Sequence, residues 1–269
     1  MTFATIEHAL EQLRSGRPVL VLDDEDRENE GDAILAAELA SPQWVGWMVR
    51  HTSGYLCAPM EDTRADRLGL PLMWSANTDP LRTRYPVSVD VSPSTTGISS
   101  VERAATTRAL ADPRTTSADL IRPGHVLPLR ARDGGVLTRR GHTEAAVDLT
   151  RLAGLQAVGL IGEIVHDDGT CARTPDVLAL GQAEGLDVIT IESLANWRRS
   201  HEEQPTATTP GSSTTRVSPT VSAQLPTRHG VFTMTGYHDQ LTGAEHVLLV
   251  AQRGLGDERQ PPVSYTHLR

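Results

Sequence analysis

Apolar positions over residues 1–199 switch repeatedly between helical and strand-like spacing. Ile6, Ala9, Leu10 and Leu13 recur at the interval of one helix face, and Gly16 stands where a C-terminal cap belongs. Pro18-Val-Leu-Val-Leu22 is a short apolar run and predicts a buried strand. An acidic stretch from Asp23 to Asp32 follows it, and the apolar run resumes over 33–37. Ser41-Pro42 sets an N-cap before a proline at the first helical position, predicting a helix to about Arg50. Ser99-Ser-Val-Glu102 has capping-box spacing and predicts a helix over 104–110. Residues 126–131 predict a strand ended by Asp133-Gly-Gly135, residues 143–152 a helix and 158–165 another strand. Thr174-Pro175 opens one more helix. The elements interleave without internal repeat or regular helix length, which favours a mixed sheet over a strictly parallel one.

From Ser200 the pattern breaks. Residues 201–219 are rich in Thr, Ser, Pro and Glu and read as a flexible linker. Strand-like pieces return in Val231-Phe-Thr-Met234 and Val247-Leu-Leu-Val250. About 50 residues are at the lower limit for an independent core, so this tail reads as incomplete.

Composition narrows the function. The 269 residues are 38% hydrophobic, enough for a sizeable core, and carry a net charge of -9. That balance offers no basic stripe to neutralise phosphates and argues against nucleic acid as a partner. All 25 basic residues are arginine, a compositional bias from which no function follows. Cys57 and Cys171 are too few for a disulfide scaffold or a four-thiolate zinc site, and suit a reducing compartment. No stretch approaches the roughly 18 apolar residues of a membrane span. The N-terminus lacks the basic and apolar regions of a signal peptide, so a soluble cytoplasmic protein is expected.

The densest chemical signal is Asp23-Asp-Glu-Asp-Arg-Glu-Asn-Glu-Gly-Asp32. A solvated acidic loop is the bland reading. Against it, Arg27 sits in the centre and the loop is expected between two apolar strands at a sheet edge, where ligand sites concentrate. Crowded carboxylates repel unless a cation or sugar hydroxyls join them, and a divalent metal is the natural partner. Arg122-Pro-Gly-His125 and Arg139-Arg-Gly-His-Thr-Glu144 are basic clusters, each with a Gly-His step, able to bind a phosphate and position imidazoles. Taken singly, such a histidine is more often structural. Thr95-Thr-Gly-Ile-Ser99 leads into a helix N-terminus, whose unpaired N–H groups favour an anion. Glu163 lies inside the apolar run 158–165, where a carboxylate is either paired, as in a buried ion pair with arginine, or raised in pKa and useful as an acid or base.

Taken together, the string Leu22-Asp-Asp-Glu-Asp-Arg-Glu-Asn-Glu-Gly-Asp32, Ser94-Thr-Thr-Gly-Ile-Ser-Ser100, Arg122-Pro-Gly-His-Val-Leu-Pro-Leu-Arg130 and Gly135-Val-Leu-Thr-Arg-Arg-Gly-His-Thr-Glu-Ala145 resembles 3,4-dihydroxy-2-butanone 4-phosphate synthase of riboflavin biosynthesis. The likeness runs from about Ile6 to Trp197. It implies an α+β fold: a three-layer α/β/α domain with a mixed twisted sheet over 1–200, then a linker over 201–220. Residues 221–269 resemble the first strands of GTP cyclohydrolase II, through Gln224-Leu-Pro-Thr-Arg-His-Gly-Val-Phe and Gly243-Ala-Glu-His-Val-Leu-Leu-Val. That likeness ends near Pro262, before the family's zinc cysteines, and no Cys follows Cys171. A truncated fragment without GTP cyclohydrolase II activity, and no zinc, are the expectations.

The family's reaction turns D-ribulose 5-phosphate into L-3,4-dihydroxy-2-butanone 4-phosphate and formate. By resemblance, Glu28 and His142 are the metal ligands, for Mg²⁺ or Mn²⁺ at two per subunit. Arg27, Glu28, Asp32, Glu163 and the turn Arg139, Arg140, Gly141, His142, Thr143 would contact substrate. Thr95 and Thr96 would hold the phosphate or close over it, and His125, Glu163 and Cys57 match positions needed for catalysis. For Cys57, simple packing of a buried thiol is an equal reading. The resemblance also implies a homodimer with sites close to the interface. A catalytically silent sugar-phosphate or metal binder, and a metal-dependent phosphohydrolase, are the competing readings. The full acid/base set argues against the first, and the two Gly-His steps against the second.

Overall fold

The computed structural model describes residues 3–202, 217–228, 230–239 and 245–251. They fall in two units, Met1–Pro205 and Thr206–Arg269, each described by itself.

The first unit is a seven-stranded mixed sheet of order β4-β5-β3-β6-β2-β1-β7. Its strands are β1 (Val19–Leu22), β2 (Gly31–Ala36), β3 (Cys57–Met60), β4 (Val89–Val91), β5 (Leu120–Arg130), β6 (Gly159–Glu163) and β7 (Val188–Thr190). β1, β2, β3 and β6 are buried on both faces, and their residues alternate between two cores. Leu20, Leu22, Leu35 and Leu160 join one core with α2 (Pro42–His51), α3 (Asp62–Arg67), α4 (Ser100–Ala111) and α6 (Thr174–Glu184). Val19, Val21, Ile34 and Ile161 join the other, with α1 (Ile6–Arg14), α5 (His142–Leu152) and α7 (Ile191–Glu202). This is the three-layer arrangement expected.

The expected caps form. Ser41 accepts from the Trp44 N–H at 3.1 Å, and Ser99 from that of Glu102 at 3.2 Å. Three expectations need correction. β1 and β2 lie inside the sheet, so the acidic loop is a hairpin between internal strands and not an edge feature. Glu163 ends β6 half-buried and makes no ion pair among the described residues; the apolar run continues past it because Ile164 and Val165 leave the ladder to pair elsewhere. The strand expected over 126–131 starts at Leu120 and includes Arg122-Pro-Gly-His125. The short elements β3, α3, β4 and β7 carry too few residues for a periodic signal.

The second unit is an antiparallel meander, β8 (Val217–Thr227), β9 (Gly230–Asp239) and β10 (Glu245–Ala251), with β9 central. It contains both strand-like pieces read from the sequence, and Val221, Leu225, Val231 and Val247–Val250 are exposed on it. β8 begins inside the stretch read as linker; residues 203–216 and 252–269, on which the rest of the linker and the tail's end fall, lie outside the described residues, as does His229.

β5 carries the feature that places His125. Val89 of β4 pairs with Val126, yet Asp90 pairs with Ile121, so residues 122–125 bulge from the ladder. At the bulge Gly124 lies against β4, where an added Cβ would stand 2.0 Å from the Val89 carbonyl carbon and 2.2 Å from the Asp90 nitrogen. Backbone atoms cannot give way as a side-chain end does. We predict that Gly124→Ala costs about 3 kcal/mol in urea unfolding; a change below about 1 kcal/mol would contradict this packing.

Candidate active site

The acidic loop is organised by its own first residue. The buried Asp23 carboxylate accepts the backbone N–H groups of Glu28 at 3.1 Å and Glu30 at 2.9 Å, and the Arg27 guanidinium at 2.9 Å. Arg27 also pairs with the Glu28 carboxylate. Asn29 adopts φ +55°, a left-handed conformation that asparagine tolerates better than most residues. Such a loop is a built structure and not a solvated run.

Opposite it, His142 opens α5. Its Nε2 lies 3.1 Å from the Val21 carbonyl, which can only accept, so Nε2 carries the proton. Nδ1 then faces the loop, 3.8 Å from Glu28 and 3.5 Å from Asp32. Burial opposes charge on this imidazole, but Asp32, Glu28 and Asp23 outweigh it and raise His142 to about 9. Burial raises Asp32 to about 7, against the pull of His142. The hydrogen bond from His142 lowers Glu28, against burial and with help from Arg27.

These residues fit a divalent cation. One ligand atom each from Asp23, Glu28 and His142 lies within 4.8 Å of the others. Asp32 Oδ1 is buried without a hydrogen-bond partner, a cost that a cation would remove. Carboxylate oxygens with one imidazole suit Mg²⁺ or Mn²⁺.

The surrounding cleft gathers most of the expected residues: Arg27, Glu28, Asp32, Cys57, Arg139, His142, Thr143 and Glu163 line it. Arg139 is held by Glu144 at 2.6 Å and by the Thr83 hydroxyl at 3.1 Å. Arg140 stands 3.6 Å from Asp24, outside the lining. Gly141 is the N-cap of α5 with no side-chain cap, so the helix presents its first N–H groups beside Arg139. Glu163 sits opposite Asp32 across the β2–β6 ladder and accepts from Ser53 at 2.8 Å. The Cys57 S–H donates weakly to the Tyr55 carbonyl at 3.6 Å. Burial, with Glu163 and Asp32 nearby, pushes this thiol well above its usual range, so it meets the cleft as a neutral S–H.

Like Arg140, His125 and the Thr95–Thr96 turn lie outside the lining. His125 is held by the buried Asp90: Oδ2 lies 2.7 Å from Nδ1, and Oδ1 accepts the His125 backbone N–H at 2.9 Å. Gly97, at φ +77°, covers the pair so closely that a Cβ would stand 2.0 Å from Asp90 Oδ2. The Thr95–Thr96 turn is not an open anion site. Glu102 accepts the Thr95 N–H at 2.6 Å, the Thr95 hydroxyl at 2.7 Å and the Gly97 N–H at 3.1 Å. Hydrogen bonds from Thr95, then Ser99 and Ser94, hold the Glu102 carboxyl down at about 2. The Thr95 donors and the Gly97 N–H are thus taken up by the Glu102 carboxylate.

Sequence reasoning did not single out Asp90, Ser53, Glu144 or the organising role of Asp23. Asp90 had a signal: an acid between valines in Val89-Asp-Val91, the same reason that drew attention to Glu163.

A pH prediction follows from the buried pair. Asp32 and His142 both have folded values above their ordinary ones, so their stabilising contributions are present at low pH and lost on raising it. The Asp32 part fades between 3.8 and about 7, and the His142 part between 6.5 and about 9. A cation replaces the proton between them, so Mg²⁺ should raise the melting temperature more at about pH 8 than at about pH 6. At about 100-fold excess over Kd the rise should be roughly 5–10 °C. Equal melting with Mg²⁺ and with chelator at about pH 8 would contradict it.

Residues 7–197 match the family model for 3,4-dihydroxy-2-butanone 4-phosphate synthase. The chain is 52% identical over 259 residues, 96% of its length, to the riboflavin biosynthesis protein RibBA of Salinispora arenicola, covering 59% of that protein. It is 49% identical over 249 residues, 91% of its length, to that of Mycobacterium marinum, covering 56%. It thus spans about three fifths of the curated relatives it matches. A 3,4-dihydroxy-2-butanone 4-phosphate synthase crystallised with two magnesium ions superposes at TM-score 0.70 and 42% identity, over 75% of this chain and all (100%) of the other. The two-domain synthase RibBX of A. baumannii superposes at TM-score 0.76 and 34% identity, over 92% of this chain and 70% of its own. The chain belongs to the 3,4-dihydroxy-2-butanone 4-phosphate synthase family.

Proposed function

We propose that the chain is a lyase converting D-ribulose 5-phosphate to L-3,4-dihydroxy-2-butanone 4-phosphate and formate. The observation that carries the reading is the imidazole of His142, whose Nε2 is taken up by the Val21 carbonyl and whose Nδ1 is turned toward Glu28 and the buried oxygen of Asp32, so that a cation can take the place of the Nδ1 proton. A divalent ion held at Glu28 and His142 would stabilise negative charge on carbonyl and enediolate oxygens. The oxygen-rich donor set favours Mg²⁺ or Mn²⁺ over zinc, and the two ions of the crystallised relative support two per subunit.

The chain's own residues divide the remaining work. Arg139, Gly141 and Thr143 at the start of α5 bind the phosphate, with Arg140 beside them and Arg27 facing the sugar. Asp32 and Glu163, opposed across the ladder, exchange protons with the sugar chain; the value near 7 suits Asp32 to both directions. Cys57 contributes a neutral S–H on the same wall.

His125, Thr95 and Thr96 bear on assembly. The resemblance makes them functional, yet they do not line this chain's cleft. A second copy that brings its His125 and Thr95–Thr96 to the cleft reconciles both facts. Tyr55, Ile98, Val101 and Ile121, all exposed and close in sequence to these residues or to Cys57, supply apolar surface for such a homodimer. Asp90 would then orient the imidazole of His125. The free thiols Cys57 and Cys171 suit the reducing cytoplasm as the compartment of this enzyme.

Formate released from ribulose 5-phosphate tests the activity. Glu28→Gln should lower it by at least about 100-fold with circular dichroism unchanged, and chelator should abolish it. Free phosphate in place of formate would favour a hydrolase, and neither product a silent binder. Light scattering at micromolar concentration should report a dimer; a fully active monomer would refute the shared-site arrangement.

A further inference from the structure

The acidic loop is gripped from behind by a segment no mechanism above uses. After β6 the chain turns back on itself: the Ile164 N–H donates to the Gly31 carbonyl at 2.8 Å and the Ala172 N–H to the Ile164 carbonyl at 2.9 Å. Val165 bridges Cys171, whose thiol contacts the Glu30 carboxylate. This return brings Arg173 to the loop. Its Nη1 donates to the Glu28 carbonyl at 3.1 Å and also to the Asn29 carbonyl. Its backbone is fixed as well, because the Arg173 N–H donates to Asp176 at 3.0 Å at the start of α6.

These contacts fall where the loop most needs them. Asn29 holds a left-handed φ of +55°, a conformation costly for a residue with a side chain. Turning Asn29 back to negative φ would swing the Glu28–Asn29 peptides and carry the Glu28 carboxylate away from His142. Asp23 holds the amide groups of this turn from inside, at Glu28 and Glu30. Arg173 holds the carbonyl groups from outside. A guanidinium suits two adjacent carbonyls, since it is planar, permanently charged and only a donor. Its charge also lies beside a loop of crowded carboxylates. Arg173 does not line the cleft, so its route to the site runs through Glu28.

We propose that Arg173 is a positioning residue: by clamping the Glu28 and Asn29 carbonyls it keeps Glu28 aimed at His142 and so sets the affinity for the divalent cation. The proposal rests on the assignment of Glu28 and His142 as the cation site. Arg173 is exposed, and its replacement should leave the sheet intact.

Mn²⁺ binding, followed by electron paramagnetic resonance of the free ion, reads the effect without turnover. Arg173→Ala should bind Mn²⁺ about 10- to 100-fold more weakly than the native chain, the range typical for residues that orient a ligand. Amide exchange across 23–30 should quicken, and Arg173→Lys should recover part of both losses. Turnover lost at limiting Mn²⁺ should return as Mn²⁺ is raised. Native Mn²⁺ affinity in Arg173→Ala overturns the proposal. So does a rise in the KM for ribulose 5-phosphate with Mn²⁺ affinity unchanged, because that is the signature of direct substrate contact. If Arg173→Ala melts early, Arg173→Gln, which keeps one donor on a long stem, serves in its place under the same criteria. Glu28→Gln must also weaken Mn²⁺; if it does not, the ion is elsewhere and the clamp has no target. Formate assay of the native chain separates the two ideas: Mn²⁺ binding that depends on Arg173, in a chain that makes no formate, sinks the lyase reading alone.

Discussion

The hydrogen bond from His142 Nε2 to the Val21 carbonyl is the constraint on which the site depends. It keeps a proton on Nε2 and so aims Nδ1, as the exchangeable position, toward the carboxylates of Glu28 and Asp32. With Nε2 so held, Nδ1 and the buried Asp32 oxygen face each other at 3.5 Å, and the site is satisfied by a proton on the ring or by a cation in its place. The tendency of His142 to hold a proton to about 9 measures how strongly the surrounding oxygens call for positive charge.

The sheet makes this arrangement rigid. Val21 sits in β1, paired on one side with Asp32 of β2 and on the other with Ile189 of β7. β2 in turn brings Asp32 opposite Glu163. Asp32, Glu163 and the Val21 carbonyl that holds His142 are therefore spaced by ladder geometry, and His142 itself by the docking of α5. Both faces of these strands are packed, so a change in spacing would disturb two cores at once. The loop between β1 and β2 has no such packing. Its shape comes from polar contacts alone, chiefly the Asp23 carboxylate and the Arg173 guanidinium.

What the sequence disclosed follows the physics of each signal. Helix caps are local, and Ser41, Ser99 and Thr174-Pro175 each marked a start within about a residue of the observed one. The acidic loop and His142 were legible because unusual residue types were crowded into long motifs. The position of the loop within the sheet was not, since strand order depends on contacts distant in sequence. Glu163 looked buried because its neighbours are apolar; a strand end beside Ser53 cannot be told from a strand centre by composition. The Thr95–Thr96 turn holds a carboxylate of its own. Ser99-Ser-Val-Glu102, whose spacing predicts α4, also supplies the carboxylate that accepts from Thr95 and Gly97, a contact across the turn that spacing alone does not reveal.

Two polar centres thus coexist in one chain, and they differ in kind. Around His142 the carboxylates exceed the positive charges available, and one buried oxygen remains unpartnered. Around His125 the acceptors are matched: Asp90 takes the ring nitrogen and the backbone N–H, and Glu102 takes the neighbouring turn. A centre with unmet demand is a place for a ligand. A matched centre presents a fixed side chain outward, and the half-exposed ring of His125 is what it presents. The bulge at residues 122–125 has a clear purpose on this view, since a regular strand would not bring both the ring and the backbone of His125 onto one carboxylate. A pre-set imidazole on a surface flanked by exposed Ile98, Val101 and Ile121 is suited to completing a cleft on another copy of the chain, where burial at the contact would exclude water from both.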